Sequence, residues 1–140
     1  MSDSKAVLER YVDAILEGDV QGIRSSFAED ATWELRGELP ISGVWQGRDV
    51  IVDDFLGKAQ SYYEPGTIDI EITSLMADSE LVTMEWTSRA RTIAGEPYEN
   101  HCIGVFTVRD GQIQAVREYM DTQYAARVAF TDEFHVRAAS

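Results

Sequence analysis

The chain reads as an α+β domain, with helices packed on one face of an antiparallel sheet. Three observations predict this. Apolar residues recur at helical spacing up to about Tyr63, and from Ile68 onward they alternate with period two. Between two strand-like runs stands Asp110-Gly111, a strong short-range hairpin signal.

The elements follow in order. Val7, Leu8, Tyr11, Ala14 and Ile15 share one face of a first helix, with Ser4 as its N-cap. Gly18 stops that helix, and Asp19 caps a short second one whose apolar contacts are Ile23 and Phe27. Residues 31–35 read as a short strand, and Gly37, Pro40 and Gly43 mark a loop after it. A third helix is predicted over about residues 49–63, with Ile51, Phe55, Ala59 and Tyr62 on one face and Pro65-Gly66 beyond its end. Then Ile68, Ile70 and Ile72 oppose Asp69, Glu71 and Thr73 in a strand that turns at Asp78 and Ser79. Residues 81–92 form a long strand, Gly95 and Pro97 mark the next turn, and residues 98–109 and 112–121 complete the sheet. A short helix over residues 123–130 and a polar end close the chain. With no repeat and no linker, residues 1–140 are expected to form one domain, its core about 5–125 and its tail 126–140.

The chain has 140 residues, of which 44% are hydrophobic, enough for one domain with a core. A net charge of −13 disfavours nucleic acid and anionic membrane surfaces, both of which need clustered Lys and Arg. With one cysteine, Cys102, an internal disulfide is excluded and a reducing compartment fits. In a strand, that cysteine reads as a small core residue before it reads as a catalytic thiol. No signal-like segment opens the sequence and no apolar run approaches the ~20 residues of a membrane span, so the expected location is the cytoplasm. With two histidines, His101 and His135, and no glycine-rich phosphate motif, neither a metal nor a cofactor is expected.

In the last strand, parity puts Arg117, Tyr119 and Asp121 on one face and Val116, Glu118 and Met120 on the other. Val116 and Met120 are the natural core face, so Glu118 is expected inside. A buried carboxylate is costly unless it is paired or protonated.

Several short motifs stand in a telling order: Arg10-Tyr11-Val12, Gly18-Asp19, Gly22-Ile23, Phe27-Ala28, Asp30-Ala31-Thr32, Gly47-Arg48-Asp49 and the Asp110-Gly111 hairpin. In this order and spacing the chain resembles the NTF2-like superfamily over about residues 5–125. The branch is that of SnoaL-like polyketide cyclases, ketosteroid isomerases and limonene epoxide hydrolases. The resemblance implies a cone, with a curved sheet wrapped over three N-terminal helices and a pocket at the wide end, and it implies a homodimer.

The resemblance also separates the chain from two of those activities. Tyr11 matches the oxyanion-hole tyrosine of the isomerases, but Leu35 stands at their base and Gly104 at their protonated acid. Glu85-Trp86-Thr87 replaces the Arg-x-Asp of the epoxide hydrolases, although Glu118 matches their last carboxylate. Carried over position by position, the family pocket would be lined by Tyr11, Trp33, Leu35, Phe55, Glu85, Thr87, Arg89, Asn100, Cys102, Val116, Glu118 and Met120. Glu118, Tyr11 and Glu85 are then the candidate catalytic residues, and Trp33, Leu35, Phe55, Arg89, Asn100 and Met120 the candidate substrate contacts. A second reading makes Glu118 or Glu85 the partner of Arg89 in a structural ion pair. Arg89 and Glu85 lie roughly 13 Å apart along their strand, so a cross-strand partner for Arg89 is expected instead. His101 alternates with Asn100 and is expected on the outer face.

Plain alternation and the resemblance disagree on one strand. Alternation sets Val82, Met84 and Trp86 toward the core, whereas the resemblance turns Glu85, Thr87 and Arg89 inward. Both hold if a second subunit covers Val82, Met84 and Trp86 together with Ile103 and Val105, which is the expected dimer interface. The expected activity is acid–base chemistry on a small, largely apolar or cyclic molecule, as in an isomerase, cyclase or lyase. The alternative is a ligand-binding or protein-association module of the same fold.

Overall fold

The computed structural model describes residues 3–131. Helix α1 (Ser4–Glu17) buries Val7, Leu8, Tyr11 and Ala14 along one stripe, the spacing that puts side chains on one helix face. Ser4 lies inside the helix and Asp3 is its N-cap, without a side-chain cap bond. The Ser4 hydroxyl donates instead to the Ser79 carbonyl at 2.7 Å, tying the helix start to a distant strand turn. Gly18 ends α1 with φ +68°, a left-handed conformation that glycine adopts without strain. Asp19 caps helix α2 (Val20–Ser25) by accepting from the Gly22 amide at 3.0 Å.

Strand β1 (Phe27–Leu35) begins four residues earlier than its alternation indicates, so Phe27 is a strand residue and not a contact of α2. The loop expected after it contains a short strand, β2 (Gly43–Gln46). The third helix is a π-helical stretch, Val50–Phe55, that runs into α3 (Leu56–Gln60). Arg24 of α2 binds Asp49 and Asp53 at 2.7 Å each and holds this helix start in place. The second half follows its period-two pattern closely: β3 (Asp69–Asp78), β4 (Leu81–Arg91), β5 (Pro97–Arg109) and β6 (Gln112–Met120), then helix α4 (Thr122–Val128). Asp110 and Gly111 both have positive φ, as the tight β5–β6 turn requires. Among the described residues no helix is long and apolar enough to cross a membrane. The tail beyond residue 131, with His135, lies outside the described residues.

The six strands form a curved, open sheet in the order β2-β1-β6-β5-β4-β3. Every neighbouring pair is antiparallel except β1 and β6. This corrects the all-antiparallel expectation. Short turns force antiparallel pairing only on consecutive strands, and the long connection between β1 and β6 leaves them free to run parallel. The third helix also follows the first two strands, so the helices are not all N-terminal.

On β4 the alternation prevails over the resemblance. Val82, Met84 and Trp86 are buried within the chain, at 0%, 4% and 8% exposure. They pack under the helices with Ile72 and Leu75 of β3, which a bulge keeps in register beside Trp86 and Met84. The stripe expected to meet a second subunit is thus part of the chain's own core. The outer face of the neighbouring strand carries Ile103 and Val105, half-buried.

Candidate active site

Inside the curve of the sheet lies a cavity of about 580 Å³. Its walls are mostly apolar: Leu35 and Trp33 of β1, Phe55 of the π-helical turn, Met84 and Trp86 of β4, Phe106 of β5 and Met120 of β6. The aromatic rings brace one another. Trp33 lies 5.3 Å from Phe55 and 6.0 Å from Phe106, and Tyr11 meets Phe27 edge-on at 5.5 Å. Such pairs are each worth about 0.5–1.5 kcal/mol beyond their buried area, so this wall is rigid.

Glu118 projects into this apolar space from β6, as its parity predicts, and is 7% exposed. Its Oε1 accepts a hydrogen bond from the Trp33 indole Nε1 at 3.0 Å. Among the described residues no cation compensates it. The one cation that lines the cavity there is Arg89, whose guanidinium binds Glu71 and Glu99 at 2.8 Å each. Burial therefore pushes the Glu118 carboxyl up to about 7, against the smaller opposing pull of the Trp33 donor.

Tyr11 faces the same cavity from α1. Burial, and then the nearby charge of Glu118, push its phenol up, so it stays protonated. The Cys102 thiol is pushed up by the same two causes and is kept from ionising, which removes it as a nucleophile.

Two expected site residues, Glu85 and Asn100, are placed elsewhere, and a third, Arg89, lines the cavity with its charge already committed. Glu85 is exposed on the outer face of β4 and accepts from Ser74 Oγ at 2.7 Å, because the inner positions of that strand belong to Met84 and Trp86. Arg89 shares that outer parity yet borders the cavity, held by its cross-strand pairs with Glu71 of β3 and Glu99 of β5. Asn100 points inward and is 1% exposed, but it does not line the cavity. Its side chain makes hydrogen bonds to Tyr98, His101 and Asp121. Thr87 and Val116 are buried outside the lining as well. His101 is exposed on the outer face, its Nδ1 3.2 Å from the Thr87 hydroxyl.

The cavity holds residues that the sequence reading missed. Tyr98 lies on the inner parity of β5 with Asn100, Cys102 and Gly104. Tyr63 continues the series Phe55, Ala59 at four-residue steps, and all three line the cavity. Gly104 has its own structural reason: a Cβ there would come within 2.7 Å of the Phe106 ring and 3.2 Å of the Trp86 ring. Aromatic rings fill the space that an acidic side chain would need.

Comparison with known proteins places this geometry. A family model described as the SnoaL-like domain matches residues 8–116. The fold matches an NTF2-like protein from Burkholderia xenovorans at 24% identity and a TM-score of 0.75, covering 92% of this chain and 98% of that one. It matches TerC, crystallised with polyporic acid, at 18% identity and a TM-score of 0.80, covering 91% and 98%. A Bacillus subtilis protein named for a suspected isomerase activity matches at 25% identity and a TM-score of 0.70, covering 92% and 93%.

Proposed function

The chain belongs to the SnoaL-like domain family, and we propose that it is a cofactor-free acid–base enzyme acting on a small, largely apolar molecule. The observation that carries the reading is Glu118: a buried carboxyl, unpaired with any cation among the described residues, in an aromatic cavity, pushed up to about 7. A group that titrates near neutrality serves both as proton acceptor and as proton donor. In an isomerisation, Glu118 takes a proton from a carbon beside a substrate carbonyl. The electron pair moves onto the carbonyl oxygen, where the Tyr11 hydroxyl donates a hydrogen bond, and the carboxylic acid then returns the proton at a second carbon. Cyclisation and dehydration use the same two groups, with the proton delivered to a different atom. Trp33 fixes one carboxylate oxygen and leaves the other for the substrate. The resemblance to the Bacillus subtilis protein supports this class of chemistry.

The placement of Glu85 outside the cavity favours the alternative, a ligand-binding or association module, because one carboxylate remains where two were expected. A generic base substrate separates the readings. In the ring opening of 5-nitrobenzisoxazole a base removes the ring C–H proton as the N–O bond breaks. The protein should accelerate it with a rate that rises through about pH 7. Glu118→Gln should fold and lose that rate by roughly 10²–10⁴. No Glu118-dependent rate would support the binding role. On the enzyme reading two copies pair across the outer sheet face, where Ile103, Val105 and Tyr119 stand, and sedimentation of a monomer at micromolar concentration would count against that pairing.

A further inference from the structure

We propose that Tyr63 and Tyr98 form a second polar subsite of the cavity, preset by Asn100 to donate a hydrogen bond, that takes an acceptor oxygen of a neutral ligand, such as a carbonyl or ether. The inference rests on the cavity being a small-molecule site, as proposed above.

The argument starts at Asn100. Its Oδ1 accepts from the backbone amides of His101 and Asp121, at 2.8 and 3.3 Å. Amides only donate, so the oxygen end is fixed, and with it the NH₂ end. That end donates to the Asp121 carbonyl at 3.0 Å and to the Tyr98 hydroxyl oxygen at 2.9 Å. All four hydrogen-bonding positions of the side chain are thus filled, and it has no freedom to turn. Tyr98 is therefore an acceptor toward Asn100 and must direct its own proton elsewhere.

The Tyr63 ring lies 5.0 Å from that of Tyr98, close enough for each phenol to influence the other's proton. Two phenols carry two protons. Even when one is shared between the two oxygens, the other has no acceptor among the described residues. Both side chains line the cavity, so the ligand space is where this second proton can find an acceptor. Burial keeps both phenols protonated. An anion is a poor occupant, since Glu118 lies in the same cavity and Arg89 is committed to Glu71 and Glu99. A neutral acceptor fits the donor without bringing charge.

The test uses two rigid probes of nearly the same shape, fluorenone with a carbonyl and fluorene without, titrated against the protein by fluorescence. It is run at pH 8.5, where Glu118 is mostly ionised and accepts rather than donates. Fluorenone should bind about 5–10-fold more tightly than fluorene, the range of one neutral hydrogen bond. Tyr63→Phe/Tyr98→Phe should abolish that preference and leave fluorene affinity unchanged, which also reports that the cavity is intact. Each single variant should lose part of it. In Glu118→Gln the preference should persist. Equal affinity for the two probes, binding of neither, or a preference that survives the double tyrosine variant overturns the subsite. A preference lost only in Glu118→Gln also overturns it, while leaving Glu118 as the polar centre. A Glu118 that titrates as an ordinary carboxylate sinks the catalytic reading without touching this result.

Discussion

The indole Nε1 of Trp33 donates to Oε1 of Glu118 at 3.0 Å, joining neighbouring strands β1 and β6 inside the cavity with no cation among the described residues paired to them. A carboxyl so placed has one fixed donor and little water, and its proton affinity in the folded state differs from that in the unfolded chain. The consequences are measurable without a known substrate.

The first is the pH dependence of stability. Glu118 is raised from an ordinary 4.5 to about 7 on folding, so between those values the folded protein holds a proton that the unfolded chain has lost. Its contribution is fully present below pH 4.5 and is lost as pH rises through about 7. Glu118→Gln should therefore match the parent at pH 4 and exceed it at pH 8.5 by roughly 3 kcal/mol, since each tenfold change in proton affinity is worth about 1.4 kcal/mol. Urea denaturation at the two pH values checks this; parallel stability curves would contradict it.

Gly104 is expected to tolerate no side chain. An alanine Cβ would press into the Phe106 ring at 2.7 Å, and Phe106 is fully buried. Gly104→Ala should cost about 1–3 kcal/mol, the usual range for overpacking a core. Chemical denaturation reads it directly, and a change below about 0.5 kcal/mol, the ordinary scatter of surface substitutions, would show that the two rings can move.

Asn100→Ala should be destabilising by about 2–4 kcal/mol. It removes four hydrogen bonds, at a position that is itself 1% exposed and so cannot easily take up water in their place. The loss should appear in the denaturation midpoint with the denaturant slope unchanged. A neutral substitution would mean that water replaces the amide.

Much of the sheet was legible because side-chain alternation is a local property. The turns at Ser79 and Asp110-Gly111, and the inward parity of Glu118, follow from neighbouring residues alone. The parallel pairing of β1 with β6 was not legible, since it joins segments far apart in sequence. The four-residue strand β2 was hidden because Val44-Trp45 between Gly43 and Gln46 is too short to show a period. For β4, position-by-position transfer from the resemblance put Glu85 and Arg89 inside, whereas Val82, Met84 and Trp86 carry the apolar surface, and burying that surface decides the face. Tyr63 and Tyr98 escaped notice because an aromatic residue on an inward face reads as core until its hydroxyl partners are known.

The central claim is that Glu118 is an uncompensated carboxyl poised near neutrality, and carbon-13 NMR titration of glutamate-labelled protein tests it most directly. The Glu118 side-chain carboxyl signal, identified by its loss in Glu118→Gln, should titrate with a midpoint near 7. It should move higher still in Trp33→Phe, where the indole donor is gone. A midpoint near the ordinary 4.5 would contradict the account.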